Sequence, residues 1–194
     1  MGLNGAGGAT IAPVTAPISF VNAADDPSCA VPGTWGSYRD EDLADILRRS
    51  RTVAMVGAST NTIRPSSFVF KYLTRKGYHV IPVNPMAAGQ EILGVPVVGD
   101  LRDIDEPIDV VDVFRRHDAV PGIVDTAIEI GAKVVWLQLG IRHPEAAAHG
   151  EAAGLTVIQD RCMKIEYGRL SGELAWNGIE GDIISSRRQR LLTR

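Results

Sequence analysis

Directly behind the apolar run Val53-Ala54-Met55-Val56 stand Gly57, Ala58, Ser59 and Thr60, and a polar stretch through Arg64 leads into Pro65-Ser66-Ser67. The order reads as a buried strand, a tight turn at the glycine and a helix start with proline in its first turn. Such a junction leaves several backbone N–H groups without intrahelical partners and gathers them at the positive end of a helix dipole. The chemistry it offers is anion binding, and in alternating α/β chains the anion is usually a nucleotide phosphate. Ser59 and Thr60 add hydroxyl donors, and Arg64 adds a cation.

Residues able to carry out a reaction are sparser. Of the four histidines, His79 opens a strand and His149 lies in a helix beside Ala146 to Ala148, so both are expected to be structural or solvated. His117 and His143 fall in strand-end loops, where they could reach a ligand; His143 precedes Pro144 and could equally cap that helix. Asp109 and Asp112 stand three apart on a strand, which puts them on opposite faces and rules out a carboxylate pair. Asp112 is expected to bond Arg115, Arg116 or a backbone amide. Cys162 follows Asp160-Arg161 with Lys164 close by, so neighbouring cations could lower its pKa, and it could form a mixed disulfide if it faces a thiol ligand; an idle buried cysteine is the alternative. No Ser-His-Asp or Cys-His arrangement is legible, and Cys29 and Cys162 show no metal-ligand spacing, so neither catalytic residues nor a metal are expected.

The elements that must position these groups alternate. An acidic helix start at Asp40-Glu41-Asp42 precedes Leu43, Ile46 and Leu47 at helical spacing. Strands are expected over 53–56, 79–83, 95–98, 109–113, 133–138 and 155–159, with helices over 66–76, 119–130 (capped by Asp118) and 144–153. Short β-branched strands alternating with helices of about ten residues imply a Rossmann-like, doubly wound parallel α/β sheet in one domain. Residues 1–36, rich in Gly, Ala, Pro and Thr, are expected to be a disordered extension, the alternative being a few residues docked on the domain surface with Trp35 and Tyr38 as candidate anchors; 37–170 form the domain and 171–194 a tail with the basic cluster Arg187-Arg188-Gln189-Arg190. The pattern weakens after Tyr167.

In such a sheet ligands sit beyond the strand carboxyl ends, so the candidate positions are Gly57 to Arg64, Asn84-Pro85, Phe114-Arg115-Arg116 and Gln138 to His143. An ATP-type P-loop fails, since no second glycine follows Gly57 and no lysine comes before Lys71. A dinucleotide fingerprint also fits poorly, because Gly57 stands alone and the second strand ends in uncharged Asn84-Pro85 where a ribose-binding acid is needed. Coenzyme A, with its extra 3′-phosphate, suits neutral and cationic partners better.

The segments VAMVGAST, RPSSFVFKYL, GYHVIPVNP, DVFRR and WLQLG, in that order over roughly residues 40 to 170, resemble the small bacterial CoA-binding protein family. Its stand-alone domain is related to the CoA-binding domain of the succinyl-CoA synthetase alpha subunit. The resemblance implies a Rossmann-like domain holding CoA or acyl-CoA through Gly57, Ser59, Arg64, Pro65, Ser66, Asn84 and Pro85, and more loosely Phe114 and Arg115. Gln138, Gly140 and Ile141 are then expected on the pantetheine side. It supplies no reaction, so a non-catalytic binder is expected. The alternatives are an NAD(P)-dependent oxidoreductase, a component of an acyl-CoA ligase, and an acyl-CoA-sensing regulatory module; the ligase would need a phosphohistidine domain.

Composition narrows the partners. The chain has 194 residues, 45% hydrophobic, with a formal charge of −3 and a pI near 5.8. That balance gives no general attraction to nucleic acid or an anionic membrane, and no apolar run approaches the roughly 20 residues of a membrane span. With no basic or continuous apolar stretch in Met1 to Gly8, no signal peptide is expected, and a cytoplasmic location is. A homodimer or an unknown protein partner is compatible with the sequence.

Overall fold

The computed structural model describes residues 38–172 and two short strands beyond them, Ile179–Glu180 and Ile183–Ile184. The extension over 1–36, with Trp35 and Cys29, and the basic cluster at 187–190 lie outside the described residues. The elements are α1 (Asp40–Arg49), β1 (Thr52–Val56), α2 (Pro65–Arg75), β2 (His79–Val83), β3 (Glu91–Ile92), β4 (Val95–Pro96), β5 (Val110–Val113), α3 (Val120–Glu129), β6 (Val134–Leu137), α4 (Pro144–Ala152), β7 (Thr156–Ile158) and α5 (Met163–Leu170).

Five parallel strands form the sheet in the order β2-β1-β5-β6-β7. Both faces are covered, which is why the strands are near-continuous Val, Ile and Leu. On one face Val53, Met55, Val110 and Trp136 pack with Val69, Phe70 and Leu73 of α2, Leu43 and Leu47 of α1, and Met163 of α5. On the other, Ala54, Val111 and Val135 meet Val120 and Val124 of α3 and Ala146 and Ala147 of α4. The chain runs from β1 outward to β2 and then returns to β5 on the other side of β1. The winding therefore reverses between β1 and β5, and the crevice at their carboxyl ends is the natural ligand position.

Four local expectations change. Val95 does not begin a strand of the main sheet: Val95–Pro96 pairs antiparallel with Glu91–Ile92 in a separate ribbon, and Val98 forms an isolated parallel bridge with Val83. Pro96 lacks the N–H that an inner strand would donate, which keeps this segment at the edge. Asp118 does not cap α3; a short 3-10 turn over His117–Ala119 leads in, and Ala119 precedes the helix without a side-chain cap. The sequence reading places no helix over 163–170, yet α5 forms there. Finally, Asp112 bonds neither arginine nor a backbone amide, but Gln138.

α5 was hidden because its buried face is partly ionic. Glu166, fully enclosed, accepts from Arg169 Nε and Nη2 at 2.9 and 2.7 Å, while Arg161 Nε stands 3.7 Å from its other oxygen. Arg169 also grips both oxygens of Asp40 at 2.7 Å, tying α5 to the start of α1 and holding the Asp40 carboxyl below its usual range. Tyr38, the candidate anchor of the alternative reading, is held on the domain: Gln159 N–H donates to its hydroxyl at 2.8 Å, and the Arg161 guanidinium lies 5.5 Å from its ring centroid.

Candidate functional site

The loop after β1 is shaped by Gly57. Its φ is +87°, and a Cβ there would lie 2.9 Å from the Phe114 carbonyl oxygen and 2.9 Å from Arg115 Cδ. The glycine thus allows the β1 and β5 ends to close on one another, with the Arg115 stem laid across the turn. Its N–H donates to Val83 O at 2.9 Å, and Asn84 Nδ2 donates to Ala58 O at 2.8 Å, so the β2 end is joined to the same loop. Asn84 Oδ1 in turn accepts from Met86 N–H, fixing the turn that carries Pro85.

Internal bonds hold the rest of the loop. Asn61 N–H donates to Ser59 Oγ, Ile63 N–H to Asn61 Oδ1, and the Ser67 hydroxyl lies 2.8 and 2.7 Å from the carbonyl oxygens of Ser59 and Asn61. Arg64 precedes α2, Pro65 opens it, and Ser66 follows, nearly enclosed. Among the described residues, the N–H groups of Ala58, Ser59, Thr60 and Ser66 have no acceptor. Unpaired donors around a helix start are what an anion requires. Arg64, Arg115 and Arg116 are exposed at this edge, and Arg116 faces Asp118 at 3.7 Å. Phe114, Arg115, Arg116 and Ala119 border an open hollow of about 310 Å³.

The β6 and β7 ends complete the rim. Gly140 has a φ of +77°, and its N–H donates to Asp160 Oδ1 at 2.7 Å. Asp160 itself has a φ of +55° and also accepts from Arg142 Nε at 3.0 Å. These bonds set the path of Gly140 and Ile141. His143 caps α4, its Nδ1 accepting from Ala146 N–H at 3.1 Å, and its ring stacks on His117 with centroids 4.5 Å apart. His79 and His149 are exposed and face Glu106 and Asp125 at 3.0 and 3.1 Å. Asp109 sits at the far end of its strand, accepting from Arg51 N–H, Thr52 N–H and Lys133.

The fold therefore brings Gly57, Ala58, Ser59, Thr60, Arg64, Pro65, Ser66, Asn84, Pro85, Phe114 and Arg115 to one edge, around the β1–β5 crevice. Gly140 and Ile141 lie further along it. Gln138 differs: it is only 4% exposed, and its amide turns inward to donate to Asp112 Oδ1 at 2.6 Å. Asp112 is fully enclosed, and burial raises its carboxyl to about 7. Cys162 is the buried cysteine that the sequence favours: burial, with Asp112, pushes its thiol up, outweighing Lys164. A larger hollow of about 370 Å³, bordered by Arg51, Lys76, Tyr78 and Leu170, lies at the opposite, amino end of the strands. There α2 presents its carbonyl end, which does not favour anions.

A sequence profile of the CoA binding domain matches residues 51–168. The chain belongs to this CoA-binding domain family. It is 41% identical over 126 residues to the uncharacterised protein YneT of Bacillus subtilis (strain 168), covering 65% of this chain and 92% of that one. Solved structures share the fold, among them two at 40% and 39% identity. A hypothetical protein from Pyrococcus horikoshii OT3 is 40% identical, with a TM-score of 0.68 over 72% of this chain and 96% of its own. The cell-free ID.343 protein from Thermus thermophilus is 39% identical, with a TM-score of 0.66 over 68% and 98%. Among the described residues, no helix is long and apolar enough to cross a membrane, and no group of three or more His, Cys, Asp or Glu could hold a metal ion.

Proposed function

We propose that this protein binds coenzyme A or an acyl-CoA at the carboxyl ends of β1, β2 and β5, as a carrier or sensor of the nucleotide and not as a catalyst. The observation that carries the reading is the set of unpaired N–H groups at Ala58, Ser59, Thr60 and Ser66 beside the exposed Arg64 and Arg115, within a CoA-binding domain. The phosphates take these donors and cations. Asn84 and Pro85 border the adenosine, and their lack of charge suits a nucleotide whose ribose carries a phosphate. Gly140 and Ile141 flank the pantetheine arm, while Gln138 acts from beneath by holding Asp112. A second copy of the chain or another protein would read out the loaded state, in the cytoplasm.

Calorimetric titration of the full chain with CoA, acetyl-CoA, dephospho-CoA, NAD and ATP tests the reading. Tight CoA binding that weakens on removing the 3′-phosphate is expected. Binding of NAD but not CoA would overturn it and restore the oxidoreductase alternative.

A further inference from the structure

The proposed anion site accounts for Arg64 but not for the cations and apolar side chains around it. From Gly57 to Gln90 the chain carries Arg64, Lys71, Arg75 and Lys76 and neither Asp nor Glu, although its formal charge is −3. Many exposed cations elsewhere are paired, as Arg48 is with Asp45, Arg102 with Glu129 and Lys133 with Asp109. Arg64, Lys71 and Arg75 are exposed and, among the described residues, have no ion-pair partner. At about 1.5 Å per helical residue, Lys71 and Arg75 stand about 10 and 16 Å from Arg64 along α2, too far to serve an anion at its start. Phe68, Lys71 and Arg75 follow one another at intervals of three and four residues, so they share one face of α2. Lys164 of α5 adds a cation beside that helix, 5.8 Å from the Tyr72 ring.

Three large apolar side chains stand out at the same end of the sheet: Ile63, Phe68 and Met86 are 77%, 56% and 85% exposed. Ile63 precedes the capping residue Arg64, and Phe68 is the fourth residue of α2, positions whose side chains face one another across a helix start. Met86 comes from the adjacent β2 end, which Asn84 joins to Ala58. An exposed apolar side chain alone is ordinary; three at one end of the sheet, beside unpaired cations, mark an interaction surface. Ile63 and Met86 protrude from a loop and a turn and border neither hollow. A deformable apolar phase accepts such tips, whereas a folded partner takes its affinity from side chains sunk in shaped pockets.

We propose that the carboxyl ends of β1 and β2, with the start of α2, dock on an anionic lipid surface. Ile63, Phe68 and Met86 enter the boundary between headgroups and acyl chains, and Arg64, Lys71 and Arg75 meet the lipid phosphates. The net charge argues against a general attraction to such a surface, but charges more than about 8 Å away are largely screened at physiological ionic strength. The field at this end is therefore that of its own unpaired cations. Docking turns the crevice between β1 and β5 towards the membrane. Arg64 is the residue shared with the nucleotide reading, and the proposal does not otherwise depend on it.

The full chain, without added nucleotide, is floated with vesicles of phosphatidylcholine alone or of phosphatidylcholine and phosphatidylglycerol in equal parts. At low salt the anionic vesicles should carry at least about tenfold more protein, and about 1 M salt should release it. Two double variants, Phe68→Ser with Met86→Ser and Lys71→Gln with Arg75→Gln, change only exposed positions and should melt as the wild type does. Each should lower binding to the anionic vesicles at least about tenfold. Equal binding to both kinds of vesicle, or binding to neither, would overturn the proposal. So would anionic binding that survives in both variants, which would assign it to the basic cluster at 187–190 instead. A dimer in sedimentation velocity that Phe68→Ser with Met86→Ser dissolves, without vesicle binding, would give this end to a second copy of the chain. Calorimetry with CoA should be unchanged in both variants, so a failure here leaves the nucleotide reading standing.

Discussion

Replacing Asp112 with Asn should change how stability depends on pH, not merely lower it. Burial lifts this carboxyl from an ordinary 3.8 to about 7 in the folded protein. Between those values the native state holds a proton that the unfolded chain has released. Stability from this group is therefore fully present below the unfolded pKa and is lost as pH rises through about 7. Each unit is worth about 1.4 kcal/mol, so raising pH from about 5 to about 8 should cost the wild type some 2–3 kcal/mol through Asp112 alone. Asparagine keeps an acceptor for the Gln138 amide but cannot ionise, so its own penalty is the same at both pH values. The Cys162 thiol is pushed up out of the window. Urea denaturation of both proteins at the two pH values gives the double difference. A stability gap between wild type and variant that stays constant to within about 0.5 kcal/mol would refute the buried, proton-holding carboxyl.

Three further outcomes follow from the same structure. Gly57→Ala should lose about 2–5 kcal/mol in urea denaturation, from the left-handed backbone and the 2.9 Å approach to the Phe114 carbonyl; a loss below about 1 kcal/mol would mean that the turn relaxes freely. Arg64→Ala should weaken CoA binding by about 1–3 kcal/mol without lowering stability, and unchanged calorimetric affinity would remove Arg64 from the site. Arg169→Ala leaves Glu166 enclosed with only Arg161 nearby, and should cost about 3–5 kcal/mol by chemical denaturation.

Much of the edge proposed to hold phosphate was legible because its signals are local. A strand that stops at Gly57, a proline at position 65 and the Asn84-Pro85 break each act through backbone geometry within a few residues. The β3–β4 ribbon was misread because Val95 to Val98 has strand composition, and composition does not say which partner a strand pairs with. α5 escaped notice because Glu166 and Arg169 occupy buried positions where periodicity expects apolar residues. Gln138 looked like a rim residue on position alone, and only its rotamer takes it inward to Asp112.

By itself the sequence determined the alternation of strands and helices, the parallel doubly wound class and the strand–glycine–helix junction at the proposed anion site, since hydrophobic period and turn chemistry are properties of neighbouring residues. Tertiary structure alone decided the strand order that opens the crevice between β1 and β5, the closure of Gly57 on Phe114, and the meeting of Asp112 with Gln138. Those depend on contacts between residues from 26 to more than 50 positions apart. Their energies arise from packing, burial and the low dielectric of the interior, which do not exist until the sheet has assembled.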